Sequence, residues 1–208
     1  MFLNNSIGVK FRTLFFIVFF YYSFINAQQP ADYVNPMIGT SNFGATYPGP
    51  IAPRGMASIS PFNVSGSQNL PLEKDSRWLS NPYVHVNLSG VGCPDWGVLL
   101  LMPTTGAVET NHLKYGSTYS NEVAKTGYYS SKIDKYNVKA EFTASKRVGV
   151  SKFSFPKGQS NVLLNLGVGL TNEDGGMVKI VSSTEIEGMR SVGSFCYNSP
   201  EDAYPVYF

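Results

Sequence analysis

From residue 136 to 144 the chain alternates without a break. Val138, Ala140, Phe142 and Ala144 fall on one side, and Lys139, Glu141 and Thr143 on the other. A period of two belongs to a strand with one buried and one wet face, and no helix can present it. The neighbouring windows agree. Residues 98–102 form a continuous apolar run ahead of Pro103, which reads as a strand buried on both faces and stopped by the proline. Residues 128–133, 148–155, 161–166 and 204–208 are further strand candidates, with Ser145-Lys146 a short link after the alternating one. Residues 177–186 and 191–197 flank Glu187-Gly188, which reads as a hairpin turn. Glu173-Asp174-Gly175-Gly176 reads as a turn at a sheet edge. No window carries apolar spacing of three and four over a helix length. About seven or eight strands are expected from Gly97 onward, at spacings typical of sandwiches. The expected fold is all-β, an antiparallel β-sandwich.

The first 27 residues are a different material. They hold Lys10 and Arg12, no acid, no proline, and an apolar run over 14–25 broken only by Ser23. A positive start, a run shorter than the ~20 residues that cross a bilayer, and a small residue at Ala27 describe an export signal. The expected organisation is a signal peptide over 1–27 and one domain over 28–208. The expected location is periplasmic or secreted, with no membrane span once the signal is removed. Without the leader, 181 of the 208 residues remain, with 14 basic and 14 acidic side chains. A neutral chain without a basic run excludes nucleic acid as partner, because phosphate binding rests on clustered Lys and Arg. Export permits a disulfide between Cys93 and Cys196, but two cysteines 103 positions apart leave bridged and unbridged forms open.

Residues 32–96 are dense in Gly, Pro, Asn and Ser, so their strands must be brief and their loops long. Two loops stand out. One, residues 85–97, reads His-Val-Asn-Leu-Ser-Gly-Val-Gly-Cys-Pro-Asp-Trp-Gly. Its Asn and Asp could clamp sugar hydroxyls, and a Trp face suits the C–H face of a sugar ring. An ordered loop with Asp95 capping local N–H groups and Trp96 packing on the sheet explains the same residues. The other loop, residues 38–50, carries Gly39, Gly44 and Gly49. It lacks the Gly-Lys-Ser/Thr ending of a phosphate loop, and its glycines are too widely spaced for a dinucleotide fingerprint. With only His85 and His112 in the chain, a His-x-x-x-His metal pair and a serine-hydrolase elbow are both absent. Carboxylate pairs such as Asp95 with Glu122 cannot be placed by spacing alone.

The segments 33–40, Tyr47-Pro48-Gly49, Gly55-Met56, Ser60-Pro61, 85–97, 100–103, 121–124, 127–129, 139–143 and Asn165-Leu166-Gly167 together resemble glycoside hydrolase family 92, the calcium-dependent exo-acting α-mannosidases. The resemblance implies an N-terminal supersandwich-like domain. In the family a helical catalytic domain follows, and it is expected to be missing from this chain. It implies an inverting glycosidase in which an acid protonates the leaving oxygen while a base activates water. Acid, base and calcium ligands belong to that helical domain, so no catalytic and no metal-ligating residue is carried over. Calcium is expected for the full-length family enzyme and none for this fragment alone. Phe43, His85, Asn87, Asp95 and Trp96 are the expected substrate-side residues, facing a mannose-containing glycan at the interface with the helical domain. Ser41, Asn42 and Phe43 stand where the family often has Gly and His, and Arg54 where it often has Phe, which bears on linkage specificity.

The leading expectation is therefore the N-terminal carbohydrate-contacting module of an exported α-mannosidase-like enzyme, inactive alone. The alternative is a non-catalytic carbohydrate-binding or adhesion sandwich. Residues 204–208, Tyr-Pro-Val-Tyr-Phe, are an uncharged strand segment at the end of the chain, as expected of a chain cut short or of a strand paired at a sheet centre. An exposed apolar flank is expected where the helical domain would pack.

Overall fold

The structure is a computed structural model and describes residues 29–40, 46–63, 80–84, 99–167, 173–192 and 203–208. The chain divides into a unit over residues 1–34 and a second over 35–208. Of the first, the described part is a single 3-10 turn, Pro30–Tyr33, with Pro30 at its start and Asp32 accepting the Gln29 backbone N–H at 3.1 Å.

The second unit is built from antiparallel sheets. β1 (Ser60–Asn63), β2 (Ser80–Val84), β3 (Leu100–Thr105) and β8 (Ser160–Asn165) form one, in the order β1-β2-β3-β8. β4 (Tyr119–Lys125), β5 (Tyr128–Ile133), β6 (Val138–Ala144) and β7 (Gly149–Ser154) form a second, a plain meander. β9 (Glu173–Ile180), β10 (Ile186–Val192) and β11 (Tyr204–Tyr207) form a third, with β10 central. The only α-helical turn among the described residues is His112–Tyr115. The all-β antiparallel expectation holds, and the described residues carry nine strands from Leu100 onward.

The alternating segment behaves as its period demands. Val138, Ala140 and Phe142 are fully buried, while Lys139 and Thr143 face solvent. With Tyr129, Ile133 and Tyr136 they meet Ile59, Met102 and Tyr115, and Leu163 packs at the margin. Two sheets therefore share one apolar layer, which is the definition of a sandwich. Tyr129 stacks on Phe142 at 6.1 Å, Phe142 meets Phe153 edge-on at 6.0 Å, and Phe153 meets Phe155 at 6.3 Å. Such pairs add to plain burial because ring edges and faces carry opposite charge. On the wet face Glu141 lies 3.0 Å from the Lys139 ammonium and 3.6 Å from Lys152, and accepts the Tyr128 hydroxyl at 2.8 Å. The Lys139 hydrogen bond, then that of Tyr128, holds the Glu141 carboxyl below its ordinary value.

Several strand expectations need correction. Pro103 does not stop β3, which runs on to Thr105. β3 pairs with β2 only at Leu100 and Leu101, so Pro103 lies where β8 alone is alongside, and a missing N–H costs least there. Glu187-Gly188 is not a turn but lies inside β10, opposite Lys179 and Val178. The turn is at 181–185, where the Val181 and Ser182 N–H groups both donate to the Glu185 carbonyl. A Gly sits at 188 because the Met177 backbone carbonyl and the Phe208 ring occupy the space of its missing side chain. Glu173-Asp174-Gly175-Gly176 is likewise strand, the start of β9. β4 escaped the sequence reading altogether. A bulge between Ser120 and Val123, with Asn121 at φ 53, breaks its alternation.

The third sheet is tied to the first by a small cluster of Leu99, Leu166, Val206 and Phe208. Much of the hairpin stays wet on both faces: Met177, Val178, Ile180, Val181 and Ile186 are exposed, Ile180 to 77%. β11 lies at the edge of its sheet rather than at the centre.

Phe142→Ala should cost roughly 3–5 kcal/mol, since it empties the middle of the shared layer. Denaturant unfolding reads this directly, and a loss under ~1 kcal/mol would contradict the placement of Phe142 between the sheets.

Candidate carbohydrate-contacting end of the sandwich

All five expected site residues, Phe43, His85, Asn87, Asp95 and Trp96, lie outside the described residues, as do Cys93 and Cys196. What the structure does show is how the segments flanking their loops are anchored. β2 ends at Val84, one residue before His85. Val84 pairs with Ser60 of β1 on one side and with Leu100 of β3 on the other. The connection from 85 to 99 therefore leaves and re-enters the sheet on adjacent strands, at one end.

The glycine-rich loop over 38–50 is delivered to the same end. Its beginning is a tight turn. The Met37 N–H donates to Asn35 Oδ1 at 3.0 Å, and the Thr40 hydroxyl donates to the Met37 carbonyl at 2.9 Å. Thr46 then closes it, its hydroxyl donating to the Ile38 carbonyl at 2.7 Å and its N–H to that of Gly39 at 3.3 Å. Gly39 has φ +78, and a side chain there would press on Thr46. The loop's other end lies against the strand that becomes β1. The Ile59 N–H donates to the Pro50 carbonyl, and a Cβ on Gly49 would overlap the Ile59 carbonyl. Gly49, Ser60, Val84 and Leu100 are thus consecutive neighbours across the sheet. The anchors of both loops meet there although 46 positions separate Gly39 from His85.

Arg54 stands exposed in the turn at 52–55 with φ 56, and Gly55 donates its N–H to the Ala52 carbonyl at 2.7 Å. The following residue, Met56, donates to the Lys146 carbonyl in the β6–β7 turn at 2.7 Å, which fixes this turn to the second sheet.

Glu122, weighed above as a partner for Asp95, sits on β4, half-buried, and accepts the Tyr129 hydroxyl at 2.7 Å. Burial raises its pKa, and that hydrogen bond pulls it partly back. The Tyr129 hydrogen bond and the stacked rings behind it account for Glu122 as a structural carboxyl on the second sheet. Among the described residues, no group of three or more His, Cys, Asp or Glu is assembled to hold a metal.

One cavity escaped the sequence reading. It measures about 390 Å³ and lies along β8, lined by Thr110, Tyr115, Val162, Leu163, Leu164, Asn165 and Leu166. Nothing in the spacing of Thr110, Tyr115 and Asn165 brings them together; β8 and the His112–Tyr115 turn do. The only sequence mark on it was Asn165-Leu166-Gly167.

An antiparallel sandwich with the anchors of its glycine-rich loops gathered at one end is the class of domain this geometry defines. The model of the glycosyl hydrolase family 92 N-terminal domain matches residues 33–208, and the chain belongs to that family. Among solved structures it is similar to the family GH92 α-mannosidase BT3965 of Bacteroides thetaiotaomicron, in complex with mannoimidazole and in a structure without it named. Each is 28% identical with a TM-score of 0.74, covering 86% of this chain and 25% of that one. It is also similar to the GH92 family glycosyl hydrolase ccman5, at 26% identity and a TM-score of 0.68, over 85% of this chain and 25% of that one. The chain thus spans about a quarter of the length of the solved structures it matches. No curated protein sequence matches it.

Two predictions follow from the anchoring and the burial. Gly49→Ala should destabilise by about 2 kcal/mol or more, because its methyl group meets backbone rather than a side chain that can move. Unchanged thermal unfolding in that variant would contradict the close approach to Ile59. For Glu122, the folded state binds the proton more tightly than the unfolded chain does, from 4.5 upward. Its contribution is therefore most favourable below 4.5 and declines as pH rises through the raised native value. Glu122→Gln should flatten the decline, read as melting temperature over about pH 4–7.

Proposed function

We propose that this chain is the carbohydrate-contacting N-terminal module of an exported α-mannosidase-like glycoside hydrolase. The observation that carries the reading is the family 92 match over 33–208, together with solved α-mannosidases of the same fold at 28% identity. The substrate is a mannose-containing glycan. Phe43, His85, Asn87, Asp95 and Trp96 contact it from the two loops whose anchors meet at Ser60, Val84 and Leu100. The leader over 1–27 directs the chain to the periplasm or the medium.

Hydrolysis with inversion needs one acid and one base on opposite sides of the sugar, roughly 6.5–9.5 Å apart. Glu122 is committed to Tyr129 on the second sheet. The acid, the base and the calcium ligands are supplied by a helical domain. The wet apolar hairpin of the third sheet is the surface on which that domain packs, since burying Met177, Ile180 and Ile186 offsets the loss of freedom on docking.

The 208-residue chain alone should bind α-mannosides without releasing mannose, with or without added calcium. His85→Ala and Asp95→Ala should each weaken binding about tenfold, the loss of one well-placed hydrogen bond. Mannose release by the chain alone would refute the assignment of acid and base to another domain. Binding indifferent to both variants would refute the loop assignment.

A further inference from the structure

None of the described loop anchors Gly49, Ser60, Val84 and Leu100 lines the cavity along β8, and its chemistry is specific. Tyr115 is 2% exposed and lines the cavity. Asn165 Nδ2 donates to that oxygen at 2.7 Å. The amide cannot be turned the other way, because Asn165 Oδ1 already accepts the Gly167 N–H at 2.8 Å. The Tyr115 oxygen is therefore an acceptor in this bond, and its own proton remains to be donated. The Tyr115 backbone carbonyl, for its part, accepts the Tyr136 hydroxyl at 3.0 Å, which fixes the turn carrying the ring. A buried donor without an acceptor costs about 1–3 kcal/mol, so an acceptor oxygen entering the cavity has something to gain.

The rest of the lining narrows the ligand. Among the described residues no side chain in it is charged: Thr110 adds a hydroxyl, and Val162, Leu163, Leu164 and Leu166 add aliphatic wall. A phosphate or carboxylate would leave its charge uncompensated there. Among the described strands β8 is the edge of its sheet, and the cavity lies along it. Val162, 49% exposed, stands at the rim. An uncharged ligand with oxygens on one face and C–H groups on the other satisfies every wall.

We propose that this cavity is a second binding site, taking one uncharged sugar residue through the Tyr115 hydroxyl, with its C–H face on the leucines. Asn165 pairs with Leu100, which pairs with Val84, so the site stands two strands from the start of the 85–97 loop, or ~10 Å. That separation places it on the same end of the sheet as the first contact, across β3. Burial raises the Tyr115 pKa more than the Asn165 bond lowers it, and Tyr136 raises it further, so the donor keeps its proton at neutral pH.

The test is protein-observed NMR on the 208-residue chain titrated with methyl α-mannoside, following the methyl groups of Leu164 and Leu166. Saturable shifts are expected there, and they should persist in His85→Ala, which disables only the loop contact. Tyr115→Phe should weaken them about tenfold. Val162→Lys, at the half-exposed rim, should abolish them by putting a charge in the mouth. Shifts that never saturate, or a saturable curve unchanged in Val162→Lys, would overturn the site. Loss of the leucine shifts in His85→Ala would overturn it as a separate site, leaving the loop contact standing.

Discussion

Everything described depends on one apolar layer between two sheets. The second sheet contributes Tyr129, Ile133, Val138, Ala140 and Phe142, and the first answers with Ile59, Met102 and Leu163. Neither sheet is stable alone, since each has one apolar face to remove from water. Their union orients the first sheet with its loop-bearing end outward. It also holds Tyr115, on the short helical turn, against the same layer. The cavity along β8 exists because Tyr115 is drawn inward while β8 remains an edge among the described strands.

The two loops illustrate how far a sheet can bring distant residues together. Gly49 lies against Ile59, Ser60 pairs with Val84, and Val84 pairs with Leu100. Hydrogen bonds between neighbouring strands thus gather segments that the chain keeps dozens of residues apart. Glycine is required at the first of these contacts because a strand backbone occupies the space of its side chain. In the proposed function the loops would carry the chemistry and the sheet the precision, a division common where a rigid scaffold presents a binding surface.

The third sheet obeys a different balance. Its anchor is the cluster of Leu99, Leu166, Val206 and Phe208, and beyond it the β9–β10 hairpin keeps apolar side chains wet on both faces. The Lys179–Glu187 pair, 2.8 Å apart on its surface, contributes little at that exposure. Arg190 is the exception, fully buried on β10 beside Val206 and Gly176.

Period and punctuation in the sequence determined the all-β class, the strand from Val138 to Ala144 with its inward and outward residues, and β5 from Tyr128 to Ile133. Local rules suffice for these because each strand's own side chains decide which face is buried. Family 92 was legible from short motifs, and the two loops were singled out as candidates on composition. Tertiary structure alone decided the rest. β4 was hidden by its bulge at Asn121, β10 by a glycine whose reason is the Met177 carbonyl and the distant Phe208 ring, and the course of β3 past Pro103 by where β2 stops alongside it. The convergence of the loop anchors, and of Thr110, Tyr115 and Asn165 around one cavity, depends on pairings between residues far apart in sequence. No local pattern encodes such a pairing, because its free energy belongs to both strands at once.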